Sequence, residues 1–258
     1  MSGPIRVAAI IPARMASSRF PGKPLLSVHG VPMVEHVRRR AVLCGRFSDV
    51  AVATCDREIA DVVAQNGGKF LMTSPSHPAA TDRVAEAARQ IDCTHVINVQ
   101  GDEILVLPDD LRRFVSAIEA RPELPAWNAV AKLGNPAELT DRSVVKCVVS
   151  RTDRVLFCAR EFTLSKKGPD FGPLRRVLGV LGYRKDFLEH YLKLARTPWE
   201  TAESIDQSRI LEQDIPLQGV EFSKGYLGIN EPREVDWVYD LIKEDLVQQV
   251  VLQDVLNQ

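Results

Sequence analysis

Short apolar runs alternate with helical patterns over roughly the first 120 residues, and this alternation limits the possible folds more than any other feature of the sequence. The first run, 5–11, is rich in β-branched residues and is typical of a strand buried on both faces. Further strand patterns cover 50–54, 70–73 and 95–99, and helical patterns cover 33–43, 57–66, 81–90 and 109–119. Strands that alternate with helices in this way predict an α/β fold with a doubly wound, mostly parallel sheet.

The second half of the chain has a different pattern. Two strand patterns lie close together at 144–149 and 154–158, and a third, which contains glycines, covers 177–183. Helical patterns cover 187–194, 200–212 and 232–248, the last as one long C-terminal helix. Because the sequence has no internal repeat and no long linker, it predicts one domain over 1–258, with a smaller lobe inserted at about 125–185.

The net charge is close to balance, at −1 for 258 residues. We therefore expect no nucleic-acid partner and no attraction to an anionic membrane surface. An anionic ligand would have to be held by a local cluster of Arg and Lys side chains. The apolar run near the N-terminus is interrupted by Pro12 and Arg14 and is too short to span a bilayer.

The cysteines are odd in number and widely spaced, and the sequence contains no C-x-x-C pair. This pattern argues against a disulfide framework and against a zinc site. We expect buried, reduced thiols, and with the short N-terminal apolar run they predict a cytoplasmic protein. The cysteines are Cys44, Cys55, Cys93, Cys147 and Cys158.

The loop after the first strand, 12–23 (PARMASSRFPGK), is the first candidate site. It combines cationic side chains, hydroxyls and a glycine beside a strand end, and this combination suits a triphosphate. It has neither the G-x-x-x-x-G-K-[ST] order of a Walker loop nor a G-x-G-x-x-G dinucleotide motif. A solvated basic loop is the alternative. The candidate residues are Ala13, Arg14, Ser17, Ser18, Arg19 and Lys23.

The turn after the strand at 95–99 is the second candidate site, and it reads Gln100-Gly101-Asp102-Glu103. A carboxylate that follows a glycine at the end of a buried strand is well placed to bind Mg²⁺. A turn acid that caps the next element is the alternative. Because ligands of open α/β sheets bind at the carboxyl ends of the strands, we expect both candidate segments to face one crevice.

A weaker candidate is Ala80-Thr81-Asp82-Arg83, which opens a predicted helix that Thr81 or Asp82 is placed to cap. The loop before it contains Ser76. Such a loop can hold a nucleobase through backbone groups. An ordinary capped helix is the alternative.

A second weak candidate lies in the predicted helix at 200–212. The three- and four-residue spacing places Glu200, Glu203 and Gln207 on one helix face. This face could line a pocket for an acceptor, or it could be a solvated face with ion pairs inside the helix.

Taken together, these segments resemble the 3-deoxy-manno-octulosonate (KDO) cytidylyltransferases, the CMP-KDO synthetases. The family pattern P-A-R-x-x-S-[ST]-R-x-P-G-K-P-L is matched without a gap by 12–25. The pattern V-Q-G-D-E-P is matched by 99–103, where Ile104 replaces the final proline. Three supporting patterns, G-T-D-R, G-Y-R and E-x-x-E-x-x-x-Q-x-R, correspond to 80–83, 182–184 and 200–209. The resemblance extends over nearly the whole chain, and the first two motifs in combination carry it.

The resemblance implies a Rossmann-like nucleotidyltransferase fold whose inserted lobe forms a homodimer. It implies Mg²⁺ as cofactor and CTP and a small acidic acceptor as substrates, with CMP transferred and pyrophosphate released. The catalytic residues would be Arg14, Lys23 and Asp102, with Asp102 as a metal ligand. The nucleotide would be held by the six loop residues above together with Ser76, Ala80, Thr81 and Arg83. The acceptor would be held by Gln100, Arg160, Tyr183, Glu200, Glu203 and Gln207.

Two departures from the family patterns bear on the metal and on the acceptor. The late element G-V-D-T-P-E-D reads GINEPRE at 228–234, so Asn230 stands where a second metal-binding aspartate is expected. It can offer Mg²⁺ only a neutral oxygen. In the pattern H-I-G-[LIV]-Y-G-Y-R, Val177 and Leu181 replace the His and the first Tyr, so a sugar would lose polar partners there.

These departures leave more than one hypothesis open. CMP transfer from CTP to a KDO-type sugar acid is the main prediction, and transfer to a phosphonate such as phosphonoformate is a close alternative. A nucleotide-binding protein without catalysis is a further hypothesis, motivated by Asn230. The same scaffold with UTP in place of CTP is another.

Overall fold

A computed structural model describes residues 3–16, 20–164 and 171–258. The chain forms two compact units, one made of Met1–Ser116 and Tyr226–Gln258 and the other of Ala117–Gly225. In sequence, the second unit is therefore inserted between two parts of the first. The finer expectation, one domain with a lobe at about 125–185, stays a prediction.

The strands and helices follow one another along the whole chain. Up to residue 120 they are β1 (Val7–Ala13), β2 (Ser27–Val28), β3 (Val31–Pro32), α1 (Met33–Cys44), β4 (Asp49–Thr54), α2 (Arg57–Gln65), β5 (Lys69–Met72), α3 (Ala80–Arg89), β6 (His95–Val99) and α4 (Pro108–Ala120). Next come β7 (Ala126–Ala131), β8 (Lys146–Val149), β9 (Val155–Ala159), β10 (Leu174–Arg184), α5 (Lys185–Tyr191), α6 (Pro198–Glu203), α7 (Gln207–Leu211) and β11 (Leu217–Glu221). The chain ends with α8 (Glu234–Glu244) and α9 (Leu246–Leu256).

In the first unit the strands of the main sheet are parallel, and β2 and β3 form a separate antiparallel pair. β1 pairs with β4 on one side and with β6 on the other, and β5 pairs with β4. In the second unit β7 pairs in parallel with β11 and antiparallel with β10, and β8 lies antiparallel between β10 and β9. The predicted α/β fold with a mostly parallel sheet is confirmed. Because β1 and β6 are parallel neighbours, the two candidate segments that follow them start at the same edge of the sheet.

The core of the first unit explains the apolar sequence runs. Every residue of β1 is buried, and α1 and α3 both pack against this strand. A further apolar cluster joins the turn after β6 to the C-terminal helices, and burial of one such Ile or Leu side chain contributes about 1.5–3 kcal/mol. Its buried members are Val28, Met33, Ile104, Leu105, Ile229, Val238, Ile242 and Leu252.

The prediction of one helix at 200–212 is wrong, because this segment forms two short helices. Helix α6 ends at Glu203, and Ser204 adopts a left-handed conformation with φ 53° and ψ 52°. The turn lets Ile205 reach a buried position. A left-handed non-glycine residue costs about 1–3 kcal/mol, which burial of an Ile side chain offsets. Glu203 and Gln207 therefore belong to different helices, and the predicted common face with Glu200 does not exist.

The prediction of a single long C-terminal helix is also wrong, because the helical segment is divided at Asp245. The Asp245 carboxylate accepts hydrogen bonds from the backbone N–H groups of Val247 and Gln248 and so caps α9. It also accepts a hydrogen bond of 2.6 Å from the Tyr226 hydroxyl. Aspartate is a strong N-cap residue, and this local preference prevails over the apolar spacing that suggested one continuous helix.

Helix α3 begins one residue earlier than predicted and is not capped by Thr81 or Asp82. Its N-cap is Ala79, in an extended conformation, and this residue makes no side-chain capping hydrogen bond. Thr81 is instead buried in that turn. The sequence patterns also gave no prediction for β7 and β11, which lie beside each other in the second unit.

Of the helices in the described parts of the chain, none has both the length and the apolar character needed to cross a bilayer.

Candidate active site

The loop that follows β1 is closed on itself by backbone contacts. The N–H of Gly22 donates to the carbonyl oxygen of Met15 at 3.1 Å, and Gly22 has φ 75°, which favours glycine. The N–H of Met15 donates to the carboxylate of Asp56 at 2.7 Å. Lys23 then begins a 3-10 turn, Lys23–Leu25. The predicted phosphate ligands Ser17, Ser18 and Arg19 lie outside the described residues.

The turn after β6 is pressed against the end of β1. The N–H of Glu103 donates to the carbonyl oxygen of Gln100 and closes the turn. A Cβ atom at Gly101 would lie 2.8 Å from the carbonyl oxygen of Pro12, which is too close for any other residue without a backbone shift. The glycine therefore permits the close approach that brings Asp102 beside the loop after β1.

Lys23 and Asp102, two of the three residues predicted to be catalytic, form an ion pair. The Lys23 Nζ atom lies 3.1 Å from Oδ2 of Asp102, and the side chains are 14% and 28% exposed. The same Nζ donates to the carbonyl oxygen of Ile229 at 2.9 Å. The ammonium group thus joins the loop after β1, the turn after β6 and the segment before α8.

The segment that contains Asn230 is fixed against this turn. A Cβ atom at Gly228 would lie 2.4 Å from the carbonyl oxygen of Asp102, and the Ile229 N–H donates to that oxygen. Asn230 follows directly, and its backbone N–H donates to the carboxylate of Glu234. The two predicted metal-binding residues, Asp102 and Asn230, therefore lie on neighbouring segments. Within the described parts of the chain, no three His, Cys, Asp or Glu side chains are arranged to hold a metal ion by themselves.

The loop after β1, the turn after β6 and the start of α3 line a crevice of about 270 Å³ in the first unit, and among the described residues its lining does not include Asn230. Of the predicted site residues, it brings together Ala13, Arg14, Lys23, Ala80, Arg83, Gln100 and Asp102. Among the described residues, its lining includes neither Ser76, whose Oγ lies 2.7 Å from that of Ser74, nor the buried Thr81. Residues that the sequence patterns did not single out also line it: Pro12, Pro24, Met33, His77, Ala79 and Gly101.

The part of the crevice nearest α3 is held by hydrogen bonds to side chains. His77 Nε2 is in hydrogen-bond contact with the carboxylate of Glu86, which also accepts from the backbone N–H of Ser74 at 2.8 Å. The hydrogen bond from the Ser74 N–H and then the one from His77 lower the pKa of the Glu86 carboxyl. The buried Arg83 donates to Thr73 Oγ1. These contacts hold the loop between β5 and α3 against α3.

Arg160 and Glu203, predicted acceptor residues, contact each other in the second unit. The carboxylate of Glu203 accepts from the backbone N–H of Arg160 at 2.8 Å. The Arg160 guanidinium donates to the carbonyl oxygens of Glu203, Ser204 and Arg142. These contacts fix β9 to the end of α6, and a role of the two residues in acceptor binding stays a prediction.

Glu200 is 3% exposed, and its carboxylate is paired with the Arg209 guanidinium. It also accepts from the backbone N–H of Thr197 in the capping box of α6. Burial raises the pKa of the Glu200 carboxyl, but the hydrogen bonds from Arg209 and Thr197 lower it by more, so its pKa lies below the ordinary value. The contacts of this carboxylate tie α6 to α7.

The remaining predicted acceptor residues lie around β7 and β10. Gln207 Nε2 donates to Asn128 Oδ1 at 2.8 Å, and Leu181 is the register partner of Asn128. Tyr183 is buried, with its ring centroid 6.0 Å from that of Tyr191. Asn128 had no part in the sequence predictions, since it lies in the unpredicted strand β7.

The charges of the crevice suit a polyphosphate. Lys23 and the exposed Arg14 line it together with the Asp102 carboxylate, and Ala79, the N-cap of α3, makes no side-chain hydrogen bond to the first turn of that helix. Cations and backbone donors near a strand end can hold phosphate oxygens, and an ammonium group already fixed by two partners needs little rearrangement to do so.

Known proteins are similar to this chain in sequence and in fold. A model of the cytidylyltransferase family matches residues 8–218. The chain is 38% identical over 244 residues to a 3-deoxy-manno-octulosonate cytidylyltransferase of Myxococcus xanthus, with 92% of this chain and 97% of the relative covered. It is 31% identical over 243 residues to one of Escherichia coli, with 94% and 98% covered.

Among solved structures, a CMP:2-keto-3-deoxy-manno-octonic acid synthetase complexed with CTP has a TM-score of 0.87 and 32% sequence identity to this chain, and the match covers 93% of this chain and 100% of that one. The family match covers most of the chain. The chain therefore belongs to the cytidylyltransferase family and is a CTP-dependent nucleotidyltransferase.

Proposed function

We propose that the enzyme transfers CMP from CTP to an oxygen of a KDO-type sugar acid and releases pyrophosphate. The observation that carries this proposal is the crevice in which Arg14, Lys23 and Asp102 come together. The acceptor is suggested by the names of the relatives, which are KDO cytidylyltransferases at 31–38% identity over most of the chain. Because the chain belongs to a family of enzymes, we set aside the hypothesis of nucleotide binding without catalysis.

In the proposed reaction the acceptor hydroxyl loses its proton to solvent, and the resulting oxyanion attacks the α-phosphorus of CTP. A P–O bond to the acceptor forms, the bond between the α-phosphorus and the bridging oxygen breaks, and pyrophosphate leaves with that oxygen. Positioning and charge stabilisation account for most of the catalysis in such a transfer. Lys23 and Arg14 would contact the oxygens on which negative charge increases, and Gln100 would orient the acceptor.

The donor set of the crevice fits Mg²⁺. This ion commonly takes one or two carboxylates, substrate phosphate oxygens and several waters. Asp102 supplies one carboxylate, and the amide oxygen of Asn230 is a neutral second donor on the adjoining segment. When bound, Mg²⁺ would supply charge neutralisation on the triphosphate. With a single carboxylate, this chain would depend on CTP for much of its metal affinity.

The nucleotide would be held by the described crevice residues Ala13, Arg14, Lys23, Ala80 and Arg83. Ser76 and Thr81 remain predicted contacts. Gln100, Arg160, Tyr183, Glu200, Glu203 and Gln207 remain predicted acceptor contacts, as the family resemblance implies.

A phosphonate is the second candidate acceptor, and a specific observation favours it. Val177 and Leu181 stand in β10 where the family patterns have His and Tyr, and they offer no hydrogen bond to a sugar hydroxyl. A small anion such as phosphonoformate needs fewer hydroxyl partners than a sugar acid.

Pyrophosphate release with CTP, Mg²⁺ and each acid in turn tests the proposal. We expect turnover with KDO well above that with phosphonoformate, and wild-type turnover well above that of Asp102→Asn. Turnover with phosphonoformate but not with KDO would identify the phosphonate, rather than the sugar acid, as the acceptor. No pyrophosphate with any acid, at a CTP concentration that stabilises the protein thermally, would reject the proposed transfer.

We also propose that the enzyme is a homodimer formed through the second unit. Leu156 and Phe157 support this proposal, because they are 53% and 42% exposed on β9, a strand that pairs in this sheet only with β8 among the described residues. Exposed apolar side chains on such a strand are typical of an interface. Light scattering after gel filtration should give twice the mass of 28.7 kDa for wild type and the monomer mass for Leu156→Lys. A monomeric wild type would contradict the proposal.

A further inference from the structure

Asp56 lies just after β4, beside the loop that carries Arg14, and the sequence patterns assigned it no role. Strands β1 and β4 are parallel, and Ala13 is the register partner of Thr54, so the chain leaves both strands at the same edge of the sheet. The Asp56 carboxylate accepts a hydrogen bond from the backbone N–H of Met15 at 2.7 Å. This bond joins two loops whose residues are 41 positions apart in the chain.

Asp56 makes this contact although it is placed to cap its own helix. It is the N-cap residue of α2, and an aspartate at this position ordinarily accepts a hydrogen bond from the first turn of its helix. Its side chain makes no such bond here. A residue that departs from a strong local preference is expected where another contact or a function requires it. The contact that replaces the cap is the one with the loop after β1.

The orientation of Asp56 is fixed by its neighbours in the chain. Its backbone N–H donates to Oγ1 of the buried Thr54 at 3.1 Å. The half-buried Cys55 donates from its sulfur, at 3.6 Å, to Oδ2, the same oxygen that accepts from Met15. A thiol is a weak donor, but with the Met15 N–H it gives this oxygen two partners. Asp56 is therefore a fixed acceptor at the edge of the sheet.

Both backbone polar groups of Met15 are bonded. Its N–H donates to Asp56, and its carbonyl oxygen accepts from the N–H of Gly22 at 3.1 Å. Because a peptide group is planar, a fixed Met15 N–H also fixes the carbonyl group of Arg14 in the same plane. This restricts the direction in which the Arg14 side chain leaves the loop. Gly22 carries the same restraint to the neighbouring Lys23.

Arg14 depends on this restraint more than Lys23 does. The Lys23 ammonium group is fixed by its own contacts with Asp102 and with the carbonyl oxygen of Ile229. Arg14 lines the crevice but is exposed, so its position follows mainly from that of its backbone. A cation held in place before the ligand arrives binds more tightly, because the cost of ordering the loop is not subtracted from the binding free energy.

We propose that Asp56 is a positioning residue of the transfer reaction, which holds the loop after β1 in the conformation that binds the triphosphate and acts through Arg14. Among the described residues, the lining of the crevice does not include Asp56. Its effect on the nucleotide is therefore indirect. This inference rests on the proposed use of CTP by the crevice.

Calorimetric titration with CTP and Mg²⁺, without acceptor, measures the effect. Asp56→Ala removes the partner of the Met15 N–H, and the affinity for CTP should fall by about tenfold or more, because the loop then spends most of its time in other conformations. Asp56→Asn keeps a side-chain oxygen that can accept the same bond, and it should retain an affinity within about threefold of wild type.

A double-mutant cycle with Arg14→Met separates positioning from general stabilisation. Arg14→Met keeps an apolar stem and removes the cation. In that background Asp56→Ala should lower the CTP affinity by only about threefold or less, because the group to be positioned is absent. A purely structural role of Asp56 would give the same loss in both backgrounds.

Asp141→Ala is the matched control. The Asp141 carboxylate also accepts a hydrogen bond from a backbone N–H, that of Ser143 at 2.9 Å, but it lies in the second unit. Its loss should leave the CTP affinity unchanged. Thermal melting without nucleotide checks that each variant folds. Asp56→Glu, which keeps the charge but moves the carboxylate by one methylene group, should also bind CTP more weakly, and it replaces Asp56→Ala if that variant does not fold.

Wild-type CTP affinity in folded Asp56→Ala would overturn the proposal. Tighter CTP binding in that variant would also overturn it, since it would show that Asp56 competes with phosphate for the Met15 N–H. Equal losses in the wild-type and Arg14→Met backgrounds would contradict action through Arg14. These outcomes are distinct from failure of the proposed transfer, because absence of pyrophosphate release with every acceptor would reject the transfer while the CTP affinities still tested Asp56.

Discussion

The ammonium nitrogen of Lys23 lies 3.1 Å from Oδ2 of Asp102, although the two residues are 79 positions apart in the chain. Parallel pairing of β1 with β6 brings their carboxyl ends together, and the close approach of Gly101 to Pro12 completes the contact. The pair places a fixed cation and a fixed carboxylate in one crevice. In the proposed reaction both would act on the same triphosphate, Lys23 directly and Asp102 through a metal ion.

Substitution of Lys23 by Met should lower kcat/KM for CTP by about 100-fold, because the transition state loses a preorganised cation. Pyrophosphate release at saturating acceptor measures this effect. Lys69→Met is the matched control, since Lys69 forms a surface ion pair with Asp49 and should retain activity within about twofold. Equal activity of Lys23→Met and Lys69→Met would show that Lys23 has no part in the reaction.

Asn230→Asp should raise the affinity of the enzyme for Mg²⁺. A second carboxylate beside Asp102 adds negative charge to the donor set, so the Mg²⁺ concentration for half-maximal activity should fall by about tenfold. Activity measured against Mg²⁺ at fixed CTP gives this midpoint. Asn257→Asp, at the exposed end of α9, should leave the midpoint unchanged, and a midpoint that rises in Asn230→Asp would place the metal elsewhere.

Gly228→Ala should reduce both stability and activity. Its Cβ atom would meet the carbonyl oxygen of Asp102 at 2.4 Å, and relief requires movement of the backbone that carries Ile229. Such overpacking typically costs about 1–3 kcal/mol of unfolding free energy, which urea unfolding measures. Gly3→Ala is the control, since nothing lies within 4 Å of the Cβ that it would add. Equal stability of the two variants would mean that the close approach has no energetic role.

The Glu200 and Arg209 pair should make stability depend on pH in the acid range. Because the pKa of Glu200 in the folded protein lies below its ordinary value of 4.5, this pair contributes stability above that value and loses it as pH falls through the folded pKa. Glu200→Gln should cost about 3–5 kcal/mol at pH 7, because it leaves the guanidinium unpaired, and should make stability fall less steeply below about pH 4.5. Urea unfolding at a series of pH values measures both.

The exposed pair of Arg121 and Glu123 provides the control, and Glu123→Gln should cost less than about 1 kcal/mol. A folded Glu200→Gln of wild-type stability, with a raised KM for the acceptor alone, would contradict a stabilising role of Glu200. It would favour the acceptor role that the sequence predicts.

The sequence predicted the elements whose pattern is local and continuous. The apolar run of β1 and the glycine turn after β6 were enough to bring Lys23 and Asp102 to one edge, since strand order in a parallel sheet determines which ends are neighbours. Strand β6 was predicted with its observed bounds, and Arg14, Lys23 and Asp102 of the two motifs line one crevice.

The errors in the helix predictions have physical causes that the spacing of apolar residues does not reveal. The break at Ser204 depends on burial of Ile205, and the break at Asp245 depends on a carboxylate that caps the next helix. Both are tertiary or local hydrogen-bond effects that prevail over helical periodicity. His77 was not identified because a single histidine in a polar loop carries no pattern, and only its contact with Glu86 beside the crevice reveals it.

The central claim is that Lys23 and Asp102 act on the same CTP molecule, and a double-mutant cycle of CTP affinity tests it most directly. Calorimetry with and without Mg²⁺ would compare wild type, Lys23→Met, Asp102→Asn and the double variant. We predict weaker CTP binding in both single variants, loss of the Mg²⁺ effect in Asp102→Asn, and a double variant whose loss differs from the sum of the two by about 0.5–3 kcal/mol. Wild-type CTP affinity in both single variants would contradict the account.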